Sequence, residues 1–221
     1  MNIPIENRRD GKMSEKYAVI DQKNWKRAAH CAVFKNAVQP QYCVGFELDV
    51  TVFHKKVKER GLSFTLAFIY AVTECANGIE EFRYRFQDGE VVLYDRIDTS
   101  FTYLDKGTEL FKVVHADMQD DMEEYVRKAS QKIHDQKDYF TGPPGNDVYQ
   151  FSAIPWITFT SISHTDSGKK DNAVPLFDWG KYSEKNGRLM MPFSVQVHHS
   201  FVDGLHIGRF AKALQDRLDS Q

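Results

Sequence analysis

Alternating apolar and polar side chains predict a β-strand close to the C-terminus of the chain. The alternation runs through Phe193-Ser-Val-Gln-Val-His198, which gives a strand one apolar face. This segment lies within a predicted strand at residues 189–198. Other runs predict strands at residues 42–50, 82–86, 91–94, 100–104, 110–115, 148–152 and 156–162. Asp88-Gly89 favours a hairpin between two of these strands, and Pro155 separates two others.

Apolar positions at helical spacing predict helices at residues 51–60, 63–78, 121–135 and 205–218. The first has Thr51 as a candidate N-cap and Gly61 as a stop. The second starts with Ser63 as its cap and is apolar on all sides, which is typical of a buried helix. Because strands dominate the middle of the chain and helices are scattered, the pattern predicts an α/β fold, a two-layer sandwich.

The chain divides into a short polar start and one domain. Residues 1–16 lack the apolar segment of a signal peptide, so we expect a flexible N-terminal extension, with Met13 as an alternative start. Residues 17–221 are expected to form a single domain. The longest apolar run, 66–72, is far shorter than the roughly 18 residues that span a bilayer, which argues against a membrane partner.

Composition narrows the range of partners. Among the 221 residues, 29 Lys and Arg face 31 Asp and Glu, so a net charge of -2 offers no basic field for nucleic acid. Three cysteines without a CxxC pair are typical of free thiols in a reducing cytoplasm. The aromatic share of 13% fits either an aromatic core or a pocket for a flat, apolar ligand.

Two adjacent histidines carry the strongest chemical signal. His198 and His199 end the last predicted strand, and Asp203-Gly204 leads into the last predicted helix. Asp203 is well placed to cap that helix, because a carboxylate accepts backbone N–H bonds. A histidine at a strand end, where clefts form, suits acid–base catalysis. The same pattern is also consistent with two histidines that have no catalytic role and simply precede a capped helix.

A longer pattern connects these residues to a known family. His198-His199-Ser-Phe-Val-Asp203-Gly204 matches the HHxxxDG signature of coenzyme A-dependent acyltransferases. Further blocks resemble the chloramphenicol acetyltransferase family, in its order, at Asn24-Trp-Lys-Arg27, 98–102, 108–111, Phe151-Ser-Ala-Ile-Pro-Trp156 and Gly180-Lys-Tyr182. The resemblance covers residues 17–219. It implies the mixed-sheet sandwich of these enzymes and acetylation of chloramphenicol by acetyl-CoA, which is an antibiotic resistance activity.

The resemblance implies a role for each matching residue of the reaction. His199 matches the general base that takes the acceptor's hydroxyl proton, and Ser152 matches the hydroxyl that donates to the oxyanion. Asp203 and Arg27 match an ion pair that organises the site, so both are expected to matter for stability. His198 matches a structural position.

The resemblance also implies where the two substrates bind. Lys181 and Tyr182 match residues beside the coenzyme, where a lysine can meet phosphates, although Lys181 alone also fits a solvated surface charge. The implied acceptor-binding residues are Phe34, Tyr42, Thr102, Phe111, Phe140 and Ile162. The pocket departs from the usual family pattern at Val33-Phe34 and at Ile162 and His164.

One departure bears directly on the chemistry. The family usually has a threonine near the oxyanion, and this chain has Asp178 there. A carboxylate would repel the oxyanion unless it were protonated or turned away, and burial would favour its protonated form. Asp178 also suits a polar or cationic acceptor.

Family members are homotrimers with each active site at a subunit interface, so the resemblance implies the same assembly here. Two alternatives stay open: an acyltransferase with another small hydroxyl or amine acceptor, and a non-catalytic ligand-binding relative. Retention of His199 and Ser152 argues against the second. No Cys and His cluster has ligand spacing, so we expect no metal site, and we expect acetyl-CoA as the acyl donor in a cytoplasmic enzyme.

Overall fold

The computed structural model describes residues 17–143, 145–164 and 168–220. Its strands are β1 Tyr17–Val19, β2 Gln41–Asp49, β3 Tyr84–Gln87, β4 Glu90–Tyr94, β5 Asp98–Asp105, β6 Leu110–Ala116, β7 Val148–Ile154, β8 Leu176–Gly180, β9 Ser183–Lys185 and β10 Arg188–His198. Its helices are α1 Ala28–Lys35, α2 Thr51–Glu59, α3 Phe64–Asn77, α4 Met122–Asp135 and α5 Gly204–Ser220. The expected extension at 1–16 lies outside the described residues, and the division into one domain stays a prediction.

A large mixed sheet forms the centre of the fold. Within the described ranges its strand order is β2-β10-β8-β7-β5-β6, with β9 also paired to β10, while β1, β4 and β3 form a small second sheet. β7 runs parallel to both of its neighbours, β5 and β8. β10 runs antiparallel to β2 and to β8. The predicted α/β class with a mixed sheet is therefore confirmed.

Helices cover one face of the large sheet, and aromatic side chains fill the space between the layers. Phe193 of β10 contacts Phe68 of α3, and Phe177 of β8 contacts Phe210 of α5, with ring centroids 5.8 and 5.4 Å apart. α3 is buried along most of its length, as its all-round apolar sequence predicts, because α4, α5 and the sheet surround it. The Ser63 hydroxyl accepts the backbone N–H of Leu66 at 3.5 Å, which confirms the predicted cap.

Two local predictions at element ends were wrong. Thr51 is the first residue of α2 rather than its cap, and the carboxylate of Asp49 accepts its backbone N–H at 3.0 Å. Phe82 lies in a 3₁₀ turn and not in a strand. The predicted hairpin is present beyond it, because Asp88 and Gly89 take the positive φ values of 51° and 86° that its tight turn requires.

The cap of α5 also differs from expectation. The Asp203 carboxylate binds Arg27 instead of helix N–H groups. The side chain of His206 makes the capping contact instead: its Nδ1 accepts the backbone N–H of Asp203 at 2.9 Å. This is the returning half of a capping box, in which the third helical residue satisfies the N–H of the cap.

Residues 156–162 do not form the predicted strand. Residues 155–164, here called the crossing segment, leave β7 and pass over the sheet face opposite the helices. The Ile157 carbonyl accepts the N–H of Lys181 at 2.7 Å, and the Thr160 carbonyl lies 3.5 Å from where a Cβ of Gly45 would stand. β8 takes the place beside β7 instead. The residues of β8 are buried on both faces of the sheet, so their sequence lacks the alternation of apolar and polar side chains that predicts a strand.

Replacing Gly180 with alanine is expected to destabilise the protein by about 1–3 kcal/mol, the usual cost of overpacking. The added Cβ would lie 2.7 Å from the Ile157 carbonyl oxygen and 2.9 Å from Pro192, and backbone cannot easily move there. Chemical denaturation measures the change. Gly45→Ala is the matched control, since its Cβ would make only an ordinary contact at 3.5 Å. Equal stability of the two variants would contradict the close approach of the crossing segment.

Candidate active site

His199 is held between two aromatic side chains just beyond the end of β10. Its backbone N–H donates to the Pro40 carbonyl at 2.9 Å, which extends the pairing of β10 with β2. Its ring stacks on Phe34 with centroids 3.9 Å apart and planes 4° apart, and it contacts Tyr42 at 4.7 Å. The side chain remains 36% exposed, so a substrate can reach the imidazole.

Arg27 ties the backbone around His199 to Asp203. The guanidinium makes two hydrogen bonds to the Asp203 carboxylate, at 2.8 and 2.7 Å. It also donates to the carbonyls of Ser200 at 2.9 Å and His199 at 3.4 Å. These bonds lower the pKa of Asp203, with Arg27 as the main cause and burial opposing. The expected ion pair is present, and its organising role stays a prediction.

The Asp203 carboxylate does not act as a simple orienting partner of His199. Its Oδ1 lies 3.2 Å from Nδ1 of His199, yet this nitrogen has no hydrogen-bond partner among the described residues. The contact is short enough for a hydrogen bond but lacks the alignment that one needs. The hydrogen bonds of the Asp203 carboxylate go to Arg27 instead.

Asp203→Asn is expected to lower stability by about 2 kcal/mol at neutral pH, because it removes a charge-assisted bidentate pair. The folded pKa of Asp203 lies below its ordinary 3.8, so its contribution is present above about pH 4 and is lost as the pH falls. Thermal unfolding from pH 2.5 to 7 should show the gap between wild type and variant closing in acid. Asp138→Asn, at an exposed position, controls for loss of a surface carboxyl. A gap that persists unchanged in acid would contradict the ion-pair explanation.

A second group of site residues lies on the sheet face opposite the helices. Ser152 pairs with Asp178 across β7 and β8, and Asp178 pairs with Ser194 across β8 and β10. Thr102 stands one step beyond the last pair of β5 with β7, Phe101 with Phe151, and so continues this row. The row places a hydroxyl on each side of the Asp178 carboxylate.

Asp178 is fully buried and shares one oxygen between two donors. Nε2 of His164 lies 2.8 Å from Oδ2, and the Ser194 hydroxyl donates to the same oxygen at 3.1 Å. Oδ1 has no hydrogen-bond partner among the described residues. Burial raises the pKa of Asp178, and His164 and Ser194 offset part of that rise. No local pattern predicts this contact, because His164 lies outside the regular elements, 14 residues before Asp178 of β8.

The remaining predicted residues lie outside this row. Phe111 and Phe140 are exposed and meet edge to face with centroids 5.8 Å apart. Ile162 lies in the crossing segment, two residues before His164. Tyr182 contacts His54, with its hydroxyl 3.1 Å from Nε2, and Lys181 is exposed.

A single chain does not bring the two groups together. Ser152 and Ser194 lie two strands apart, and His198 is four residues beyond Ser194 along β10. At about 4.8 Å per strand and about 3.3 Å per residue, the Cα atoms of Ser152 and His198 are roughly 16 Å apart. His199 lies one residue further from Ser152 along the chain. Its ring packs on Tyr42, which pairs with Val197 and therefore lies on the helix side of the sheet, whereas Ser152 lies on the opposite side. Within one copy, His199 and Ser152 cannot touch the same reacting atom.

Comparison with known proteins identifies the family. A family model described as chloramphenicol acetyltransferase matches residues 15–215. The chain belongs to the chloramphenicol acetyltransferase family. It is 31% identical over 206 residues to the chloramphenicol acetyltransferase of Klebsiella sp, which covers 92% of this chain and 94% of the relative. As a member of this family, the protein is an acyltransferase.

Solved structures agree with this assignment. A chloramphenicol acetyltransferase structure superimposes with a TM-score of 0.84 at 33% identity, covering 91% of this chain and 99% of the other. A probable dihydrolipoamide acetyltransferase from Listeria monocytogenes gives a TM-score of 0.63 at 16% identity over 87% of this chain and 89% of the other, which shows the shared fold. The expected acyltransferase sandwich is confirmed.

Among the described residues, no group of three or more His, Cys, Asp or Glu side chains could hold a metal ion. None of the helices in those ranges is long and apolar enough to cross a membrane.

Proposed function

We propose that this member of the family transfers the acetyl group of acetyl-CoA to a hydroxyl of chloramphenicol. The observation that carries the proposal is His199 in the family's HHxxxDG segment: its imidazole is partly exposed, it stacks on Phe34, and Arg27 holds its backbone carbonyl. The relatives' names supply the acceptor and the acetyl group that is transferred. Inactivation of the drug would make the protein a resistance enzyme.

In the proposed reaction, His199 removes the proton from the acceptor hydroxyl as its oxygen attacks the thioester carbonyl. A new C–O bond forms, and the carbonyl oxygen becomes an oxyanion. When the intermediate collapses, the C–S bond breaks and the proton on His199 goes to the leaving thiolate of coenzyme A. An imidazole serves both steps because its ordinary pKa is close to neutral.

Ser152 is the proposed donor to the oxyanion. Its side chain is partly exposed and lies on the polar row beside Asp178, so its hydroxyl is available to a substrate. A single donor of this kind typically contributes about 3 kcal/mol to the transition state. Lys181 and Tyr182 are the proposed coenzyme contacts, since the exposed ammonium of Lys181 can meet a phosphate.

The active enzyme is proposed to be a homotrimer with its sites between subunits. The separation of His199 from Ser152 within one chain supports an arrangement in which one subunit supplies the base and the next supplies Ser152 and the acceptor pocket. Phe34 and Tyr42 would then line the pocket from the base's side. Thr102, Phe111, Phe140 and Ile162 would line it from the other side, with the exposed rings of Phe111 and Phe140 taking the flat part of the acceptor. Because acetyl-CoA is a cytoplasmic metabolite, we place the enzyme in the cytoplasm.

Asp178 and His164 support a second candidate function, in which the acceptor is not chloramphenicol. The buried carboxylate of Asp178 and the half-buried imidazole of His164 make this side of the pocket polar, which favours a more polar hydroxyl or amine acceptor. The two candidates share the donor, the base and the oxyanion donor, so only the acceptor distinguishes them.

Release of the coenzyme A thiol tests the proposal directly. The purified protein is given acetyl-CoA with no acceptor, with chloramphenicol, and with a panel of small alcohols and amines. Chloramphenicol-dependent release at a rate well above the acceptor-free rate is the expected result. Release with a panel member alone would replace the acceptor. Tight binding of chloramphenicol without release, measured by calorimetry, would favour a ligand-binding relative instead.

A further inference from the structure

We propose that His206 is a positioning residue for His199, acting through the Asp203 backbone and Arg27. The proposal rests on the proposed function, since it concerns the base of that reaction. His206 lies in the first turn of α5 and does not touch His199 itself. Its side chain is only 8% exposed, so packing confines the imidazole to one position.

A continuous series of contacts leads from His206 to the base. Nδ1 of His206 accepts the backbone N–H of Asp203 at 2.9 Å. The Asp203 carboxylate holds Arg27 through two bonds of 2.7 and 2.8 Å. Arg27 in turn donates to the carbonyls of His199 and Ser200. A shift of Asp203 would therefore be passed to the backbone that carries the imidazole of His199.

Asp203 needs such a restraint because packing alone does not confine it. It borders a cavity of about 400 Å³ that is also lined by Trp25, His30, Glu81 and Tyr84. Its side chain is 33% exposed, so open space is available to the carboxylate. Hydrogen bonds must then fix its position. Arg27 holds the side-chain end, and His206 holds the backbone end.

Glu81 selects the form of His206 that can do this. Nδ1 must lack a proton in order to accept the Asp203 N–H, so the neutral ring carries its proton on Nε2. The Glu81 carboxylate lies 3.4 Å from Nε2 and stabilises a proton at that position. Burial lowers the pKa of His206, which keeps the ring neutral. The acceptor role thus belongs to one nitrogen in one tautomer.

Two substitutions separate this role from simple packing. His206→Asn places an amide oxygen near the position of Nδ1, and His206→Gln places its amide near Nε2. We expect the asparagine variant to keep kcat within about threefold of wild type. The glutamine variant should lose about 10- to 100-fold in kcat with the KM for acetyl-CoA little changed, as misplacement of a catalytic group predicts. The same two changes at exposed His134 should have no effect.

Two outcomes would overturn the proposal. Equal kcat in the Asn and Gln variants, with both folded by circular dichroism, would mean that the Nδ1 bond does not position the base. Histidine ¹⁵N NMR of the wild type gives a readout that does not depend on turnover. It should show Nδ1 of His206 unprotonated and Nε2 protonated at neutral pH. A proton on Nδ1 would overturn the proposal even in a fully active enzyme, whereas an inactive wild type with the expected tautomer would overturn only the proposed function.

Discussion

His199→Ala is expected to lower kcat for chloramphenicol acetylation by about 10²- to 10⁴-fold, the usual contribution of a general base. The effect should fall on kcat more than on the KM for acetyl-CoA, because the ring acts on the acceptor's proton and not on the coenzyme. The loss should persist across the pH range, since no titratable group replaces the imidazole. Initial rates of thiol release with both substrates varied give the comparison.

Added imidazole distinguishes a missing base from a damaged pocket. The alanine variant leaves a space against Phe34 and Tyr42, the two rings that now contact His199. Free imidazole bound there should restore part of the activity in proportion to its concentration. His134→Ala, a change of an 80% exposed histidine, controls for loss of a histidine in general. A His199→Ala enzyme that keeps more than a tenth of wild-type kcat would remove His199 from the role of base.

Mixing two inactive variants is expected to regenerate active enzyme. His199→Ala keeps Ser152, and Ser152→Ala keeps His199, so each alone should lose two or more orders of magnitude in rate. The two residues are roughly 16 Å or more apart in one chain, which excludes a shared site within it. If each site joins His199 of one subunit with Ser152 of the next, a mixed oligomer contains some sites with both residues.

The size of the recovery follows from random assembly. In an equal mixture, a site receives an intact His199 with probability one half and an intact Ser152 with probability one half, so about a quarter of wild-type activity is expected in any closed oligomer. The two variants are denatured and refolded together, and activity is compared with variants refolded separately and then combined. Absence of recovery, with mixed oligomers demonstrated by differential tagging, would contradict sites shared between subunits.

Much of the secondary structure could be predicted from local patterns. The strand ending at His198 and the buried helix after Ser63 are present with ends shifted by a residue or so. The two failures, at residues 156–162 and at β8, both come from tertiary packing that local patterns do not show. Residues 156–162 contain apolar side chains typical of a strand, but they cross the sheet where Gly180 allows a close approach. β8 is buried on both faces, so its sequence shows no alternation.

The site was predicted unevenly. Arg27 and Asp203 were expected to pair, and they meet through two hydrogen bonds. The link between His164 and Asp178 was not expected, because it depends on how the crossing segment lies over the sheet. His206 comes two residues after the HHxxxDG segment, and no role was assigned to it from the sequence. His206 lies three residues after Asp203, which is the spacing of a capping box, and this spacing could have predicted their contact.

By itself, the sequence determined the family, the HHxxxDG segment and most of the helices and strands, because contiguous residues and short periods carry that information. Only the tertiary structure decided which side chains meet. It joined Arg27 to the backbone of His199, joined His164 to a buried carboxylate, and placed Ser152 far from His199. The physical reason is that such contacts arise from strand order and from the path of irregular segments, which bring together residues that no local spacing connects.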